Sequence, residues 1–144
     1  MIIFVEFEFY LLANPASGNL ARLKEELLDH IDIDLAQVYA PEATMSKDAI
    51  LDFCRQYEEQ IQSVGGIDCM LLGVGSSSNV MFNAAGTSIN SRTRLVLLEG
   101  GSRKEASRSF SSQEALPAGV ITMGVSTMMN ARHVILMAWG EDKA

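Results

Sequence analysis

The stretch "GVGSSSNVMFN", Gly73 to Asn83, follows the apolar run "IDCMLL" and combines two glycines one residue apart with three serines. Glycines in such a loop let the main chain approach a ligand, and successive N–H groups can cradle an anion. The loop contains no acid, histidine or lysine. It can therefore bind through its backbone at Gly73 and Gly75, but it holds no side chain suited to proton transfer near neutral pH. A second candidate segment is "WGEDKA", after the last apolar run. Both sit at the carboxyl ends of expected strands, where ligands gather in open α/β sheets.

Other chemistry is poorly supported. Gly73-x-Gly75-x-x-Ser78 is one residue short of a dinucleotide fingerprint, with Glu99 ending a later strand about where a ribose-binding acid would sit. Ser78 replaces the packing glycine, however, and Asn83 to Gly86 leave little room for the long helix that should follow. His30 falls in the last turn of an expected helix and His133 opens the last strand at the end away from both loops, so both read as structural. Cys54 and Cys69 lie within apolar patterns and lack metal-ligand spacing. They read as reduced core thiols, which implies a cytoplasmic home; no metal site and no cofactor are expected.

The elements that position these loops follow from periodicity. "IIFVEFEFY" reads as one strand with a polar side formed by Glu6 and Glu8. Leu20, Leu23, Leu27, Leu28 and Ile31 recur at helical spacing from Asn19. "IDLAQVYAP" reads as a loop with a short strand. Ser46 is an N-cap candidate for a helix whose stripe is Ile50, Phe53, Cys54, Tyr57, Ile61 and Val64, stopped by Gly65 and Gly66. "IDCMLLGVG" and "RLVLLE" read as parallel strands buried on both faces. Ser102 and Glu105 match a capping box, which places a helix start at Ser102. "AGVITMG" and "HVILMAWG" are further strands, with about two turns of helix between them at "VSTMMNAR". Strands alternating with helices predict one domain over residues 1–144, an α/β three-layer αβα sandwich with a mostly parallel, Rossmann-like sheet.

Composition sets the outer limits. The 144 residues suffice for one domain with a sizeable core, and 48% hydrophobic against 20% charged is ordinary for a globular protein. Eleven Lys+Arg against eighteen Asp+Glu give a net charge of −7, which argues against nucleic-acid or anionic-membrane partners. No apolar run reaches the roughly 18 residues of a membrane span. "MIIFVEFEFY" lacks the basic start of a signal peptide.

"LLGVGSSSNVMFNAAGTSINSRTRLVLL", together with "ITMGVSTMMNARHVILMAWGEDKA", resembles the amino-sugar-phosphate isomerase/deaminase family, of glucosamine-6-phosphate deaminase and 6-phosphogluconolactonase type. "GVG", "FN", "SRTR", "ITMGVST" and "GEDKA" fall in the family's order and spacing, and "LLDHIDID" and "CRQYEEQI" match its preceding helices. The resemblance covers nearly the whole chain and corresponds to the middle of a typical member. Members begin with further strand–helix units and a Gly/Ser/Thr-rich phosphate loop, and they continue past the "GEDKA" segment.

The resemblance implies the following roles. Arg108 and Lys143 match the cations that hold the sugar phosphate, and Arg suits a bidentate grip on it. The family's proton-abstracting Asp-Glu-Tyr-like stretch falls on Phe7, Glu8 and Phe9, so the Asp position is Phe7. Its Asp-Gly-His falls on Ser77, Ser78 and Asn79, and its Glu-Pro on Ala84 and Ala85. Arg92 and Arg94 match "SRTR", where a loop and strand-end role is expected. Glu8 and Asn79 are thus the surviving catalytic candidates, and Gly73, Gly75, Arg108 and Lys143 the substrate-binding ones.

The resulting expectation is a glucosamine/galactosamine-6-phosphate isomerase (deaminase)-like domain of amino-sugar metabolism, catalytically impaired or a fragment, that binds a phosphorylated amino sugar weakly. A non-catalytic structural or oligomerisation module is the alternative, and a Rossmann-type nucleotide binder ranks third. Self-association into a homo-oligomer is also expected, through the apolar first strand.

Overall fold

α2 (Lys47–Ser63) organises the core. Its stripe turns Ile50, Cys54, Tyr57 and Ile61 inward, all buried, while Val64 at the end of the stripe stays exposed. Ser46 occupies the N-cap position without a side-chain cap bond; its carbonyl accepts from Ala49 N at 3.1 Å. Asp48 lies in the first turn, where the helix dipole favours an anion. Gly65 and Gly66 stop the helix with φ of 88° and 92°, and Gly66 N returns to Ile61 O at 2.8 Å.

The computed structural model describes residues 2–5, 7–10, 18–41, 45–75, 79–107 and 117–141. Along the chain follow β1 (Ile3–Phe4), β2 (Phe7–Tyr10), α1 (Asn19–Glu26), β3 (Val38–Tyr39), α2, β4 (Cys69–Gly73), β5 (Arg94–Leu97), α3 (Gly100–Ser107), β6 (Gly119–Thr122), α4 (Val125–Met129) and β7 (His133–Met137). Short 3-10 turns occupy Leu28–His30 and Leu35–Gln37.

The architecture is α/β. β1 pairs with β3 in parallel, and β4 with β7 in parallel, with Cys69 opposite His133 and Gly73 opposite Met137. The other two pairings are antiparallel: β6 lies between β2 and β5 in a three-stranded sheet. β6 is its centre, and all four of its residues are buried. Helix α3 separates β5 from β6 in sequence, yet the two strands run in opposite directions.

Tyr57, Ile61, Met70, Leu72, Met81, Met123 and Met128 form the principal core cluster. Four of these seven are methionines, whose unbranched side chains fill irregular gaps. Tyr57 also donates its hydroxyl to Val5 O at 2.6 Å, which ties the β1 end to α2.

Several local expectations are corrected. "IIFVEFEFY" divides into β1 and β2, which belong to different sheets. The α1 stripe is largely uncovered: Leu20 and Leu27 are exposed, and only Leu28, in the turn beyond the helix, is buried. β4 buries Met70 and Leu72 but exposes Cys69 and Leu71, so it is covered on one face only. Cys69 is therefore not a core thiol, although both cysteines are free. α3 begins at Gly100, two residues before the expected start, which places Ser102 inside the helix and removes the capping box.

Candidate functional site

The parallel β4–β7 pair brings the two ligand-loop candidates to one end of the same ribbon. Gly73 is opposite Met137, and Val74 N bonds Met137 O at 3.2 Å. Beyond Gly73 the chain folds back on itself: Gly75 N donates to Asn79 O at 2.8 Å, and Val74 bridges Val80. A Cβ built on Gly73 meets no described residue within 4 Å.

The turn from Asn79 to Asn83 is internally hydrogen-bonded and strained. Val80 and Asn83 exchange backbone bonds at 3.1 and 3.3 Å. Met81 carries the left-handed φ of 55°, a conformation that costs a non-glycine residue on the order of 1 kcal/mol or more. Its buried side chain in the core cluster and the bond from Asn79 Nδ2 to Met81 O at 2.5 Å hold it there. Asn79 is itself buried, yet its Oδ1 has no hydrogen-bond partner among the described residues. An unpaired buried acceptor costs about 1–3 kcal/mol, a penalty that an incoming donor would remove.

Asn83 anchors the turn to the antiparallel sheet. Its Nδ2 donates to Met123 O at 2.9 Å, and its Oδ1 accepts from the Arg94 guanidinium at 2.8 Å. Burial lowers the pKa of Arg94 from its ordinary value. Phe7, Thr122 and Arg94 occupy one rung across β2, β6 and β5, next to Met123. The position where the resemblance places a proton-abstracting Asp thus lies on the rung beside the anchored turn, occupied by Phe7. Glu8 is one residue further along β2, opposite Ile121.

A carboxylate supports this end of the molecule from below. Glu58 Oε1 accepts from Thr93 N at 2.8 Å, Thr93 Oγ1 at 2.6 Å and Thr127 Oγ1 at 2.5 Å, and Arg92 approaches Oε2 at 3.4 Å. Three segments far apart in sequence meet on this one side chain. Sequence reasoning missed Glu58, although it lies at the helical spacing of Cys54, Tyr57 and Ile61, and a charge within an apolar stripe was the available signal. It also missed Asn83, which the "FN" motif contained.

Ser91 closes the start of α4. Its Oγ accepts from Val125 N and its carbonyl from Ser126 N, both at 2.9 Å. This contact depends on Gly124, where a Cβ would lie 2.2 Å from Ser91 O.

A cavity of about 360 Å³ lies beside the turn, lined by Val80, Asn83, Ala84, Ala85 and residues of α4 and β7. Among the described residues its wall carries no charged side chain. Of the expected binding residues, Gly73 and Gly75 lie at the turn, whereas Arg108 and Lys143, like Ser77 and Ser78, fall outside the described residues. His30 and His133 are both exposed, and His133 Nδ1 lies 3.2 Å from Asp68 O. No group of three or more His, Cys, Asp or Glu side chains suited to a metal ion occurs among the described residues. No described helix is long and apolar enough to cross a membrane.

Known proteins share this arrangement. Residues 2–144 match the family described as glucosamine-6-phosphate isomerases/6-phosphogluconolactonase. A glucosamine-6-phosphate deaminase-like protein of Bacteroides thetaiotaomicron is 49% identical over 145 residues, which are 100% of this chain and 22% of that protein. Glucosamine-6-phosphate deaminase of a Geobacillus species is 39% identical over 142 residues, 97% of this chain and 56% of that one. The solved structure of a monomeric glucosamine-6-phosphate deaminase superposes with a TM-score of 0.85 at 27% identity, over 94% of this chain and 56% of its own. 6-Phosphogluconolactonase of Thermotoga maritima shares the fold, with a TM-score of 0.70 at 16% identity over 99% of this chain and 59% of its own. The chain spans about half the length of most of these relatives, and about a fifth of the Bacteroides protein. With a family match over residues 2–144, the chain belongs to the glucosamine-6-phosphate isomerase/6-phosphogluconolactonase family.

Proposed function

We propose that this chain holds a phosphorylated amino sugar at the end of β4 and does not deaminate it. The observation that carries the reading is the buried Oδ1 of Asn79, which has no partner among the described residues and is fixed by the bond from its own Nδ2 to Met81 O. A carboxamide oxygen in that position can accept a hydrogen bond from a sugar hydroxyl or ammonium group. It cannot take up a proton near neutral pH, and Phe7, Ala84 and Ala85 carry no ionisable group at all.

Aldose–ketose isomerisation with loss of the amine needs a base at C2 and a proton shuttle at the ring oxygen. Each missing proton-transfer group is worth about 10²–10⁴ in rate. Glu8 is the remaining carboxylate of that stretch of β2 within the described residues, one position removed from Phe7. The −7 net charge opposes a phosphate, so binding relies on the backbone at Gly73 and Gly75 and on Arg108 and Lys143. A millimolar dissociation constant, about −4 kcal/mol, is the expected strength.

The test combines an NMR titration with glucosamine 6-phosphate and an assay of ammonia release on the same protein. Saturable shifts at Asn79 and Gly75 without ammonia release support the reading. Ammonia release above the blank that is lost in Asn79→Ala or Glu8→Gln would show a working active site. No shift at any millimolar concentration would remove the sugar phosphate as a ligand.

A further inference from the structure

We infer that Glu58 is a positioning residue for the candidate site. Through Thr93 and Thr127 it sets where the partners of Asn83 outside its own turn stand, and so how the Asn79–Asn83 turn presents the Asn79 carboxamide. The inference rests on the reading of that turn as part of the sugar-phosphate site. Asn83 is held from two segments: its Oδ1 accepts from the Arg94 guanidinium at 2.8 Å, and its Nδ2 donates to Met123 O at 2.9 Å. Arg94 directly follows Thr93, and Met123 lies four residues before Thr127. Glu58 Oε1 accepts the hydroxyl of Thr93 at 2.6 Å, that of Thr127 at 2.5 Å and the Thr93 N–H at 2.8 Å. One carboxylate oxygen therefore ties to α2 both of the segments that grip Asn83.

Stability alone does not call for a carboxylate here. Glu58 shares the inward face of α2 with Cys54, Tyr57 and Ile61, all buried. A charge in that place costs desolvation, and replacing a buried ionic group by an apolar one is often neutral or stabilising. What an apolar side chain lacks is direction: it cannot accept three protons from two segments at fixed lengths and angles. Ser91 also joins these segments, through Val125 N and Ser126 N, but only at the start of α4. Glu58 adds the tie at Thr127 and fastens both segments to the core helix. The turn then follows Asn83. Val80 and Asn83 exchange backbone bonds, Val80 adjoins Asn79, and Gly75 N donates to Asn79 O. Supporting contacts of this kind decide whether a binding group is held in place or stands about 1 Å too loose.

NMR on the labelled full chain tests it, first without ligand and then in a titration with glucosamine 6-phosphate. Glu58→Leu removes the acceptor and keeps an apolar side chain of similar size. It should move the side-chain amide signals of Asn79 and Asn83 and weaken sugar-phosphate binding by at least about threefold, the scale on which a supporting network modulates a site. Glu58→Gln keeps an accepting oxygen and should restore both signals and most of the affinity. Leu28→Ala, at a buried position in the turn beyond α1, destabilises the fold without touching this network and should change neither.

Folded Glu58→Leu with unmoved Asn79 and Asn83 signals would overturn the inference. So would a Leu28→Ala variant that moves them as far, since the effect would then be one of stability alone. Should Glu58→Leu fail to fold, Thr127→Val removes a single donor and leaves the carboxylate in place. It should still move the Asn83 signal, through Met123, and an unmoved signal there would equally overturn the inference. Absence of any shift with glucosamine 6-phosphate in the unaltered chain would remove the sugar-phosphate reading instead, and the ligand-free signals would still decide whether Glu58 sets the turn.

Discussion

Thr93 directs both of its protons at Glu58: its backbone N–H at 2.8 Å and its hydroxyl at 2.6 Å reach the same carboxylate oxygen. Thr127 adds a third donor at 2.5 Å, so a buried charge is neutralised by hydrogen bonds from segments 35 and 69 residues away. Glu58→Ala leaves those donors unpaired and opens a void, and should cost about 3–5 kcal/mol of stability, the scale for breaking a buried ionic network. Glu58→Gln keeps the accepting oxygen and should cost less than half as much. Urea unfolding of both variants reads the difference.

Asn83→Ala should cost about 2–4 kcal/mol, because it removes the bond to Met123 O and takes from the half-buried Arg94 guanidinium its shorter hydrogen bond, leaving the one to Arg92 O at 3.4 Å. Arg94→Met should be milder, since it removes the charge with the bond. A double-mutant cycle should show a coupling of at least about 1 kcal/mol between the two positions.

Two glycines should respond in opposite ways. Gly124→Ala drives a Cβ into the Ser91 backbone and should destabilise by about 3 kcal/mol or more, visible as a large fall in Tm. Gly73→Ala meets no atom of the described residues within 4 Å and should leave Tm close to that of the unaltered chain. Its effect should appear instead as weakened sugar-phosphate shifts in the NMR titration.

Cys54 gives a pH signature. Burial, with a smaller contribution from the neighbouring Glu58 charge, raises its thiol pKa from 9.0 to about 11. Above the ordinary value the unfolded chain loses this proton while the folded chain retains it, so stability falls as pH rises. The loss begins near pH 9 and is complete near pH 11, and it amounts to at most about 2–3 kcal/mol. Cys54→Ala should remove this part of the alkaline decline. Urea midpoints at the two ends of that window, compared between the two proteins, provide the check.

Arg108→Ala should weaken sugar-phosphate binding by about 1.5–3 kcal/mol, the scale of a hydrogen bond to a charged group. Shifts that saturate identically with and without Arg108 would reject its assignment as a phosphate ligand.

The sequence made the α2 stripe and its glycine stop legible, because each rests on periodicity or on a turn residue with a specific backbone requirement. Burial of the strands was less legible. "CMLLG" and "RLVL" read as fully covered because an apolar run looks the same whether or not a neighbour covers it. The antiparallel course of β5 and β6 was also hidden, since hydrophobic patterning carries no strand direction. At Ser102 the local S-x-x-E pattern lost to a helix that starts at Gly100, whose φ of 49° suits glycine at that turn. The strain at Met81 and the unpaired oxygen of Asn79 have no sequence signature, because they depend on contacts between the turn and the core.

The parallel register of β4 and β7 also bears on how fast the native state is reached. Cys69 and His133 pair across 64 intervening steps of chain, so bringing them together costs about 3–4 kcal/mol of chain entropy before any ladder bond compensates it. The antiparallel β5–β6 pair and the helix α2 involve shorter closures and can form first. The β4–β7 ribbon, which carries both candidate loops, is then among the last parts to assemble. Refolding followed at Trp139, just beyond β7, should lag behind refolding followed by helical signal, since contacts distant in sequence are slow to form.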